Sequence, residues 1–436
     1  MESRGELGAT PEFVNEKRRA IAVAPLVKPP YLPYMEDKGA SLELPGKRFD
    51  ISGHRLHILH APDDRLQALL GMIAAAQHSI ALSMYMFDND TSGTEVRDAL
   101  VVAAKRGVKV ALLVDSFGSA KLPASFFQPL EDAGGQYCFF SSRWRLSYFI
   151  RNHQKILIAD DIHALVGGYN ITDQYFGRRG DQSWEDLGLA ISGPEVARIS
   201  GYLTELIELS ADGGVRLLAL RRLIREWQPG DGKLQWLVGG PTNHLSPWAL
   251  SLKRDLQNAR LIDIVAAYFS PTQSILRRIA KAARHGGAVR LVLAGKTDNG
   301  ATIGAARILY GYLLKRQVRI CEYQPRLLHT KLLIIDDAAY IGSANLDIRS
   351  LFINKELMLR IHDSDLADYL RGLADSLAQQ SDTQTPELHH SRLSWFNRLR
   401  WSLAYLLVNS VDYNIGRRIS SRITQGLRKS LSGKAV

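Results

Sequence analysis

One set of residue types occurs twice in this sequence in the same order and in nearly the same spacing. Each copy has a histidine, a lysine two positions later, an aspartate five positions after the lysine, then a pair of small residues and an asparagine. The members are His153, Lys155, Asp160, Gly167, Gly168 and Asn170 in the first copy and His329, Lys331, Asp336, Gly342, Ser343 and Asn345 in the second. Because side chains two apart on a strand share a face, each histidine points into the same space as its lysine. An imidazole beside an ammonium group suits an anionic phosphate.

Two imidazoles can divide the work of transferring a phosphodiester. One attacks phosphorus as a nucleophile, and the other protonates the departing alkoxide and then acts as a base toward the incoming hydroxyl. Lys155 and Lys331 would supply positive charge to the phosphate oxygens. Asn170 and Asn345 would supply amide N–H donors to the same oxygens. This chemistry needs no metal ion and no organic cofactor, so none is predicted.

A nucleophilic imidazole must present the correct nitrogen, which requires a carboxylate that accepts a hydrogen bond from the far side of the ring. Asp186, downstream of His153, and Glu356, downstream of His329, are the candidates, and each begins an apolar run. Glu185 is the alternative to Asp186. The sequence therefore predicts one orienting acid in each copy.

The elements around the motifs also repeat. In each copy an apolar run is followed by a helical pattern and a second apolar run, at 79–87, 94–106 and 107–115 and again at 261–269, 272–284 and 286–295. Both motifs then read as a strand, an Asp-Asp turn and a second strand, in which Asp160 and Asp336 hold the turn and do not contact phosphate. Strands separated by amphipathic helices predict an α/β fold with two α/β sandwich domains and mixed sheets.

Changes in composition give the predicted domain boundaries. The prediction is an N-terminal arm over 1–55, a first domain with a linker helix over 56–227, a second domain over 228–380, and a basic amphipathic helical tail over 381–436. The linker helix corresponds to the helical pattern over 194–225.

The two motifs resemble the phospholipase D superfamily, whose HxKxxxxD signature the chain contains twice with its GG/GSxN extension. The resemblance covers roughly residues 55–380 and implies a pseudo-twofold pair of α/β domains with the active site at their interface and a phosphohistidine intermediate. It implies His153 as the nucleophile and His329 as the acid/base, although the reverse order also fits the residues. The segments Tyr85–Asp88 and Ser343–Ser350 further resemble bacterial cardiolipin synthases, in the shorter form without N-terminal spanning helices.

The charge of the chain points to an anionic partner. The formal net charge is +11 with a pI near 9.5, and basic residues are frequent in the tail. The tail contains two patterns typical of basic amphipathic helices, over 395–407 and 415–431. Such helices either lie on an anionic membrane or pack on the enzyme's own core or another subunit. The polar N-terminus lacks a signal peptide pattern, and no spanning helix is predicted, so we expect a peripheral protein on the cytoplasmic side of the cell membrane.

The resemblance implies a phosphatidyltransferase that condenses phosphatidylglycerol with a second phospholipid to give cardiolipin and glycerol. Phosphatidylethanolamine is an alternative second lipid. A hydrolytic phospholipase D or a phosphatidylserine synthase would use the same residues. A nuclease or another phosphodiesterase is the alternative of a different class, but two fused motifs and a basic aromatic tail favour lipid over nucleic acid. The sequence leaves open whether the protein is a monomer or a homodimer.

Overall fold

The computed structural model of the protein describes residues 42–406, except 142–149, 179, 213, 243, 298 and 299. Its strands are β1 (Lys47–Ile51), β2 (His54–Leu59), β3 (Ser79–Met84), β4 (Lys109–Asp115), β5 (Gln136–Phe140), β6 (Ile156–Ala159), β7 (His163–Gly167), β8 (Gly188–Ser192), β9 (Leu234–Gly239), β10 (Leu261–Ala266), β11 (Phe269–Ser270), β12 (Ala288–Ala294), β13 (Arg319–Tyr323), β14 (Lys331–Ile335), β15 (Ala338–Gly342), β16 (Leu346–Asp347), β17 (Glu356–His362) and β18 (Ser381–Gln384). Its α-helices are α1 (Pro62–Ala75), α2 (Thr91–Lys105), α3 (Gln128–Asp132), α4 (Glu195–Ala211), α5 (Leu217–Glu226), α6 (Pro247–Asp255), α7 (Gln273–Arg284), α8 (Gly300–Leu314), α9 (Ile348–Phe352), α10 (Ser364–Gln379), α11 (Pro386–Ser391) and α12 (Trp395–Leu406).

The internal repeat appears as two eight-stranded sheets. The first has the order β1-β2-β8-β7-β6-β3-β4-β5, and the second, read from its other edge, has the order β9-β17-β15-β14-β10-β12-β13-β18. Without β1 and β18 the two orders correspond strand for strand. In both sheets the strands around the first helix crossover are parallel and the motif hairpin is antiparallel. This confirms the predicted α/β architecture with mixed sheets.

Local sequence signals explain where the crossover helices begin. The carboxylate of Asp90 accepts the backbone N–H of Gly93 at 2.9 Å and caps α2. Thr272 caps α7 through its hydroxyl, which accepts the N–H of Ile275. These side chains satisfy backbone donors that a helix leaves without intrahelical partners. The helices therefore start at equivalent points, and the strands that carry the motifs end up in equivalent positions.

A single buried core joins the two halves. Apolar side chains of both sheets meet those of α4 and α10 in one cluster, which includes Ile158, Leu203, Leu332 and Leu370. The other face of the first sheet is covered by α1 and α2, and that of the second by α6, α7 and α8. Because the halves share this core, the residues between the sheets have fixed relative positions.

The structure moves the predicted boundaries. The boundary at 55/56 falls within the antiparallel β1–β2 hairpin, so the arm ends before Lys47. The boundary at 380/381 is followed at once by β18, which pairs with β13 at the edge of the second sheet. The predicted linker helix is two helices, α4 and α5. Composition marks a change in surface character, but backbone hydrogen bonding decides which residues belong to a sheet.

The predicted tail falls partly inside the described residues. Its first amphipathic pattern forms α12, whereas the pattern over 415–431 and the arm residues 1–41 lie outside the described residues. Among the helices that the structure describes, none combines the length and the apolar composition that crossing a bilayer requires.

Candidate active site

The two motif histidines lie where the halves meet, and each is attached by its backbone to the opposite half. The N–H of His153 donates to the carbonyl of Lys355 at 2.9 Å, and Asn152 and Lys355 form a parallel bridge. The N–H of His329 donates to the carbonyl of Glu185 at 2.7 Å, beside a second bridge between Glu185 and Leu328. These paired bridges bring both motifs into one cleft.

The two carboxylates predicted to orient the imidazoles, Asp186 and Glu356, each contact the histidine of the opposite half. Nδ1 of His153 lies 3.1 Å from Oε2 of Glu356, and Nδ1 of His329 lies 2.7 Å from Oδ2 of Asp186. Both carboxylates are fully buried. The prediction of one orienting acid within each copy is therefore wrong in its pairing. The bridges explain the exchange, because they place the strand start of each half against the histidine of the other.

Glu185, the alternative to Asp186, has a different place in the structure. Its carboxylate lies 2.6 Å from Nε2 of His60 and pairs with Arg326, on the side of the chain away from the histidine pair. Successive side chains of an extended segment point in opposite directions, so Glu185 and Asp186 cannot both face His329. Glu185 contributes its backbone carbonyl to the site and its side chain to an ion-pair cluster.

The two lysines are buried beside their histidines. Lys155 is 1% and Lys331 2% exposed. Nζ of Lys155 donates to the carbonyl of His153 at 2.7 Å, and Nζ of Lys331 lies 3.0 Å from Nδ1 of His329. Burial lowers the pKa of Lys155 to about 7, with Glu356 opposing and Lys331 adding to the effect. An anionic ligand in the cleft would raise this pKa again and hold the ammonium form.

Burial favours the neutral form of both imidazoles. Burial lowers the pKa of His329 to about 4, and Lys331 lowers it further although Asp186 opposes. Burial also lowers the pKa of His153, against the pull of Glu356. Because each carboxylate accepts the Nδ1 hydrogen, the neutral ring carries its lone pair on Nε2. Nε2 is the nitrogen required for attack on phosphorus or for proton transfer.

Asn170 and Asn345, predicted to bind phosphate oxygens, are buried in equivalent positions after their strands. Nδ2 of Asn170 donates to the hydroxyl of Tyr175 at 3.1 Å, and the backbone N–H of Asn345 donates to Oγ of Ser350 at 3.2 Å. Their contact with phosphate stays a prediction.

Asp160 and Asp336 lie at the far ends of the motif strands. The carboxylate of Asp160 accepts the backbone N–H groups of Gln77, His78 and Ser79 at 2.7–2.8 Å. The carboxylate of Asp336 accepts those of Arg260 and Leu261, at 3.0 and 2.9 Å. Both residues have positive φ, 54° and 48°, which aspartate tolerates better than most residues. Their geometry is that of the turn-holding role predicted from the sequence.

The small-residue pair of each motif supports the carboxylate of that same half. A Cβ on Gly168 would come within 2.4 Å of Oδ1 of Asp186, so only glycine lets this carboxylate approach. In the second half the equivalent residue is Ser343, whose hydroxyl donates to Oε2 of Glu356. Each half therefore combines a small residue with an acid that fits it: Gly168 with the shorter Asp186, and Ser343 with the longer Glu356.

Aromatic residues around the histidines were not assigned from the sequence. The ring of Tyr85 contacts His153 edge-on at 4.9 Å, and Nζ of Lys155 lies 5.1 Å from the same ring. Tyr175 and Trp184 contact His329 at 5.1 and 5.5 Å. No repeated spacing in the sequence links these aromatic residues to the histidines, because Tyr85, Tyr175 and Trp184 come from separate segments of the chain. They exclude water from the ring faces and contribute to the burial that lowers the histidine pKa values.

Comparison with known proteins agrees with this geometry. The family model described as cardiolipin synthase, phospholipase D-like domain, matches residues 69–205 and 252–377. Cardiolipin synthase B of Salmonella typhimurium is 33% identical over 362 residues, which are 81% of this chain and 87% of that protein. Cardiolipin synthase 2 of Bacillus anthracis is 34% identical over 343 residues, 76% of this chain and 66% of that protein.

A solved structure shows the same fold. The crystal structure of phosphatidylserine synthase from Haemophilus influenzae superimposes with a TM-score of 0.66 and 14% identity, over 84% of this chain and 94% of that one. The fold of the present chain and its crossed histidine–carboxylate pairs define a phospholipase D-type protein. The chain belongs to the cardiolipin synthase family of that superfamily, and it is a phosphatidyltransferase.

Proposed function

We propose that the protein transfers a phosphatidyl group from one phosphatidylglycerol to a second phospholipid through a phosphohistidine, giving cardiolipin and glycerol. The observation that supports this most is the crossed arrangement of His153 with Glu356 and His329 with Asp186. It places two imidazoles, each bound through Nδ1 to a carboxylate, beside two buried lysines where the halves meet. A nucleophile and a separate proton carrier are the minimum that a double-displacement transfer requires.

In the first step Nε2 of His153 attacks phosphorus, and the bond from phosphorus to the headgroup oxygen breaks. The departing glycerol alkoxide takes a proton from Nε2 of His329, and glycerol leaves. Burial opposes the protonated form of His329 that this step uses, and a negatively charged phosphodiester beside the imidazoles favours it. Lys155 and Lys331 compensate the charge of the phosphate oxygens.

In the second step a glycerol hydroxyl of another phosphatidylglycerol enters the cleft. Nε2 of His329 accepts its proton, the oxygen attacks phosphorus, and the bond from phosphorus to His153 breaks. Cardiolipin leaves, and both histidines return to their starting states. Water in place of this hydroxyl would give phosphatidic acid, which is the product of a hydrolytic phospholipase D.

Product analysis separates the candidate reactions. Purified protein with phosphatidylglycerol vesicles should form cardiolipin and glycerol in equal amounts, measured by mass spectrometry. Adding phosphatidylethanolamine tests it as the phosphatidyl donor, because transfer of its phosphatidyl group to phosphatidylglycerol would release ethanolamine in place of glycerol. Phosphatidic acid alone would establish the hydrolase. Phosphatidylserine formed from a cytidine-diphosphate lipid and serine would establish a phosphatidylserine synthase, and digestion of DNA would establish a nuclease.

An aryl phosphodiester tests which histidine attacks. Its leaving group departs without protonation, so His329→Ala should still release one equivalent of the aryl alcohol per enzyme in a rapid burst. His153→Ala should give no burst, and both variants should be inactive on phosphatidylglycerol. A burst in His153→Ala but not in His329→Ala would reverse the two roles, and full activity of either variant would reject the mechanism.

We also propose that the protein works as a peripheral protein on anionic phospholipid at the cytoplasmic face of the membrane. The net charge of +11 and the substrate class support this placement, because basic surfaces are attracted to anionic headgroups. Binding to nucleic acid is not part of the proposal.

A further inference from the structure

Helix α12 presents a continuous apolar surface to solvent. Five of its side chains are at least half exposed: Trp395 is 77%, Phe396 59%, Leu399 50%, Leu403 52% and Leu406 52% exposed. With 3.6 residues per turn these positions fall within an arc of about 100° on the helix. Five exposed apolar side chains on one stripe differ from the single exposed apolar residues that are normal on protein surfaces.

The opposite side of α12 is fixed to the second domain. Trp401 is 2% exposed and packs with Ala404 against α8, where a Cβ on Gly304 would come within 3.0 Å of Ala404. The ring of His389 stacks on Trp401 at 5.8 Å. The apolar stripe is therefore held by the folded enzyme and is not needed for packing α12 onto the domain.

An ion pair with a buried carboxylate adds to this attachment. Arg392, between α11 and α12, lies 3.6 Å from the carboxylate of Glu322, which is fully buried in β13 and also binds Arg307. The tail is thus joined to the sheet through both apolar and charged contacts. Of the placements that the sequence allows for α12, packing on the enzyme's own core is correct for one face, and among residues 42–406 that the structure describes the opposite face stays exposed.

The flanks of the stripe are basic. Arg398 and Arg400 are exposed, and the helical period places them on either side of the apolar arc, roughly a quarter turn or more from its centre. Tryptophan, phenylalanine and leucine within the arc and arginines at its flanks match the layout of helices that lie in the headgroup region of a bilayer. A soluble protein partner would not require basic residues along both flanks.

The direction of α12 relates the stripe to the active site. His389 lies against Gly311 and Ala404 against Gly304, so the α11–α12 segment runs antiparallel to α8. Helix α8 begins after the carboxyl end of β12, at the sheet edge where Ala266 of β10 pairs with Lys331. Helix α12 therefore runs toward the edge that carries the second motif.

We infer that α12 is a membrane-docking helix that the second domain holds in a fixed orientation, so that the catalytic edge meets an anionic phospholipid surface. This inference rests on the proposed function for its substrate class. The bilayer is the occupant that satisfies both the apolar stripe and its basic flanks. It also explains how two lipid substrates reach a cleft formed within the protein.

The test uses the full chain with three stripe residues replaced, Trp395→Ser, Leu399→Ser and Leu403→Ser. A matched control replaces three similarly exposed apolar residues on other helices, Val102→Ser, Leu218→Ser and Leu250→Ser. Sedimentation with phosphatidylglycerol vesicles should show binding at least about tenfold weaker for the stripe variant, because each lost apolar contact with lipid weakens partitioning severalfold or more. The control should bind like the parent protein.

Turnover with two substrate forms separates docking from chemistry. On dihexanoyl-phosphatidylglycerol below its micelle concentration, the stripe variant should match the parent, whereas on vesicles it should lose activity in proportion to binding. Arg398→Gln with Arg400→Gln should weaken binding to phosphatidylglycerol vesicles and leave binding to phosphatidylcholine vesicles unchanged.

Two results would overturn the inference. One is vesicle binding of the stripe variant equal to that of the parent. The second is a change from dimer to monomer in light scattering without loss of vesicle binding, which would assign the stripe to a second copy of the chain. Failure to form cardiolipin would reject the proposed function. Because vesicle sedimentation does not depend on turnover, it would still measure whether α12 binds the membrane.

Discussion

His153 and His329 occupy equivalent positions in the two halves, yet the carboxylates that hold them differ in length and in support. Glu356 receives a hydroxyl hydrogen bond from Ser343, whereas Asp186 lies against Gly168 and accepts the N–H of Leu187 at 2.8 Å. The bond to His329 is also shorter than the bond to His153, 2.7 against 3.1 Å. The two halves share the histidine and the lysine, but they differ in the acid and in the small residue beside it.

The largest effect should come from neutralising the crossed acids. Asp186→Asn and Glu356→Gln should each lower the rate of cardiolipin formation by about 10²- to 10⁴-fold, because the amide no longer fixes the imidazole tautomer. Glu185→Gln should cost far less, since its side chain faces His60 and Arg326. The measurement is steady-state turnover on phosphatidylglycerol. If the Glu185 variant turned over more slowly than the Asp186 variant, the assignment of Asp186 to His329 would be wrong.

The two small residues should not be interchangeable. Gly168→Ser should destabilise the protein by about 1–3 kcal/mol and reduce turnover, because its Cβ would displace Asp186. Ser343→Gly removes one donor from a buried carboxylate, at a similar cost of about 1–3 kcal/mol, but leaves the backbone space unchanged. Urea unfolding measures both.

Gly201→Ser is the matched control for this pair, because no atom lies within 4 Å of the position its Cβ would take. We expect it to unfold like the parent protein. Equal tolerance of serine at positions 168 and 201 would show that the contact with Asp186 does not constrain the site.

Acid should destabilise the protein through His329. Its pKa in the folded state is about 4, below the ordinary value of 6.5, so between these pH values the unfolded chain binds more protons. The free energy of unfolding should therefore rise with pH across this window and fall on acidification, by an amount on the order of 3 kcal/mol. His329→Asn should flatten the dependence, whereas replacing the exposed His78 with Asn should not. If the free energy of unfolding of His329→Asn depended on pH as steeply as that of the parent protein, His329 would not be the group responsible.

The smallest effects should come from the turn aspartates. Asp160 accepts three backbone N–H groups and Asp336 accepts two. We expect Asp160→Ala to lower the free energy of unfolding more than Asp336→Ala, each by about 1–3 kcal/mol. Turnover at a temperature where both variants are folded should change little. A catalytic loss as large as that of the Asp186 variant would place these aspartates in the chemistry.

Much of the site could be predicted from the sequence because its signals are local. The strand period puts His153 and Lys155 on one face, and the same spacing recurs at His329 and Lys331. An aspartate in a tight turn between strands predicts a backbone-holding role, which the hydrogen bonds of Asp160 show. The two domains followed from repetition, since equal patterns of strands and helices fold alike.

The sequence alone determined the motif pairs, the repeated α/β architecture and Glu356 as one candidate orienting acid, and it left Asp186 and Glu185 as alternatives for the other. Only the tertiary structure decided which histidine each acid serves, because the bridges at Glu185–Leu328 and Asn152–Lys355 join residues far apart in the chain. It also decided that β18 belongs to the second sheet and that α12 packs through Trp401 with its outer stripe exposed. Amphipathic spacing identifies the faces of a helix, but only the position of α8 determines which face is covered.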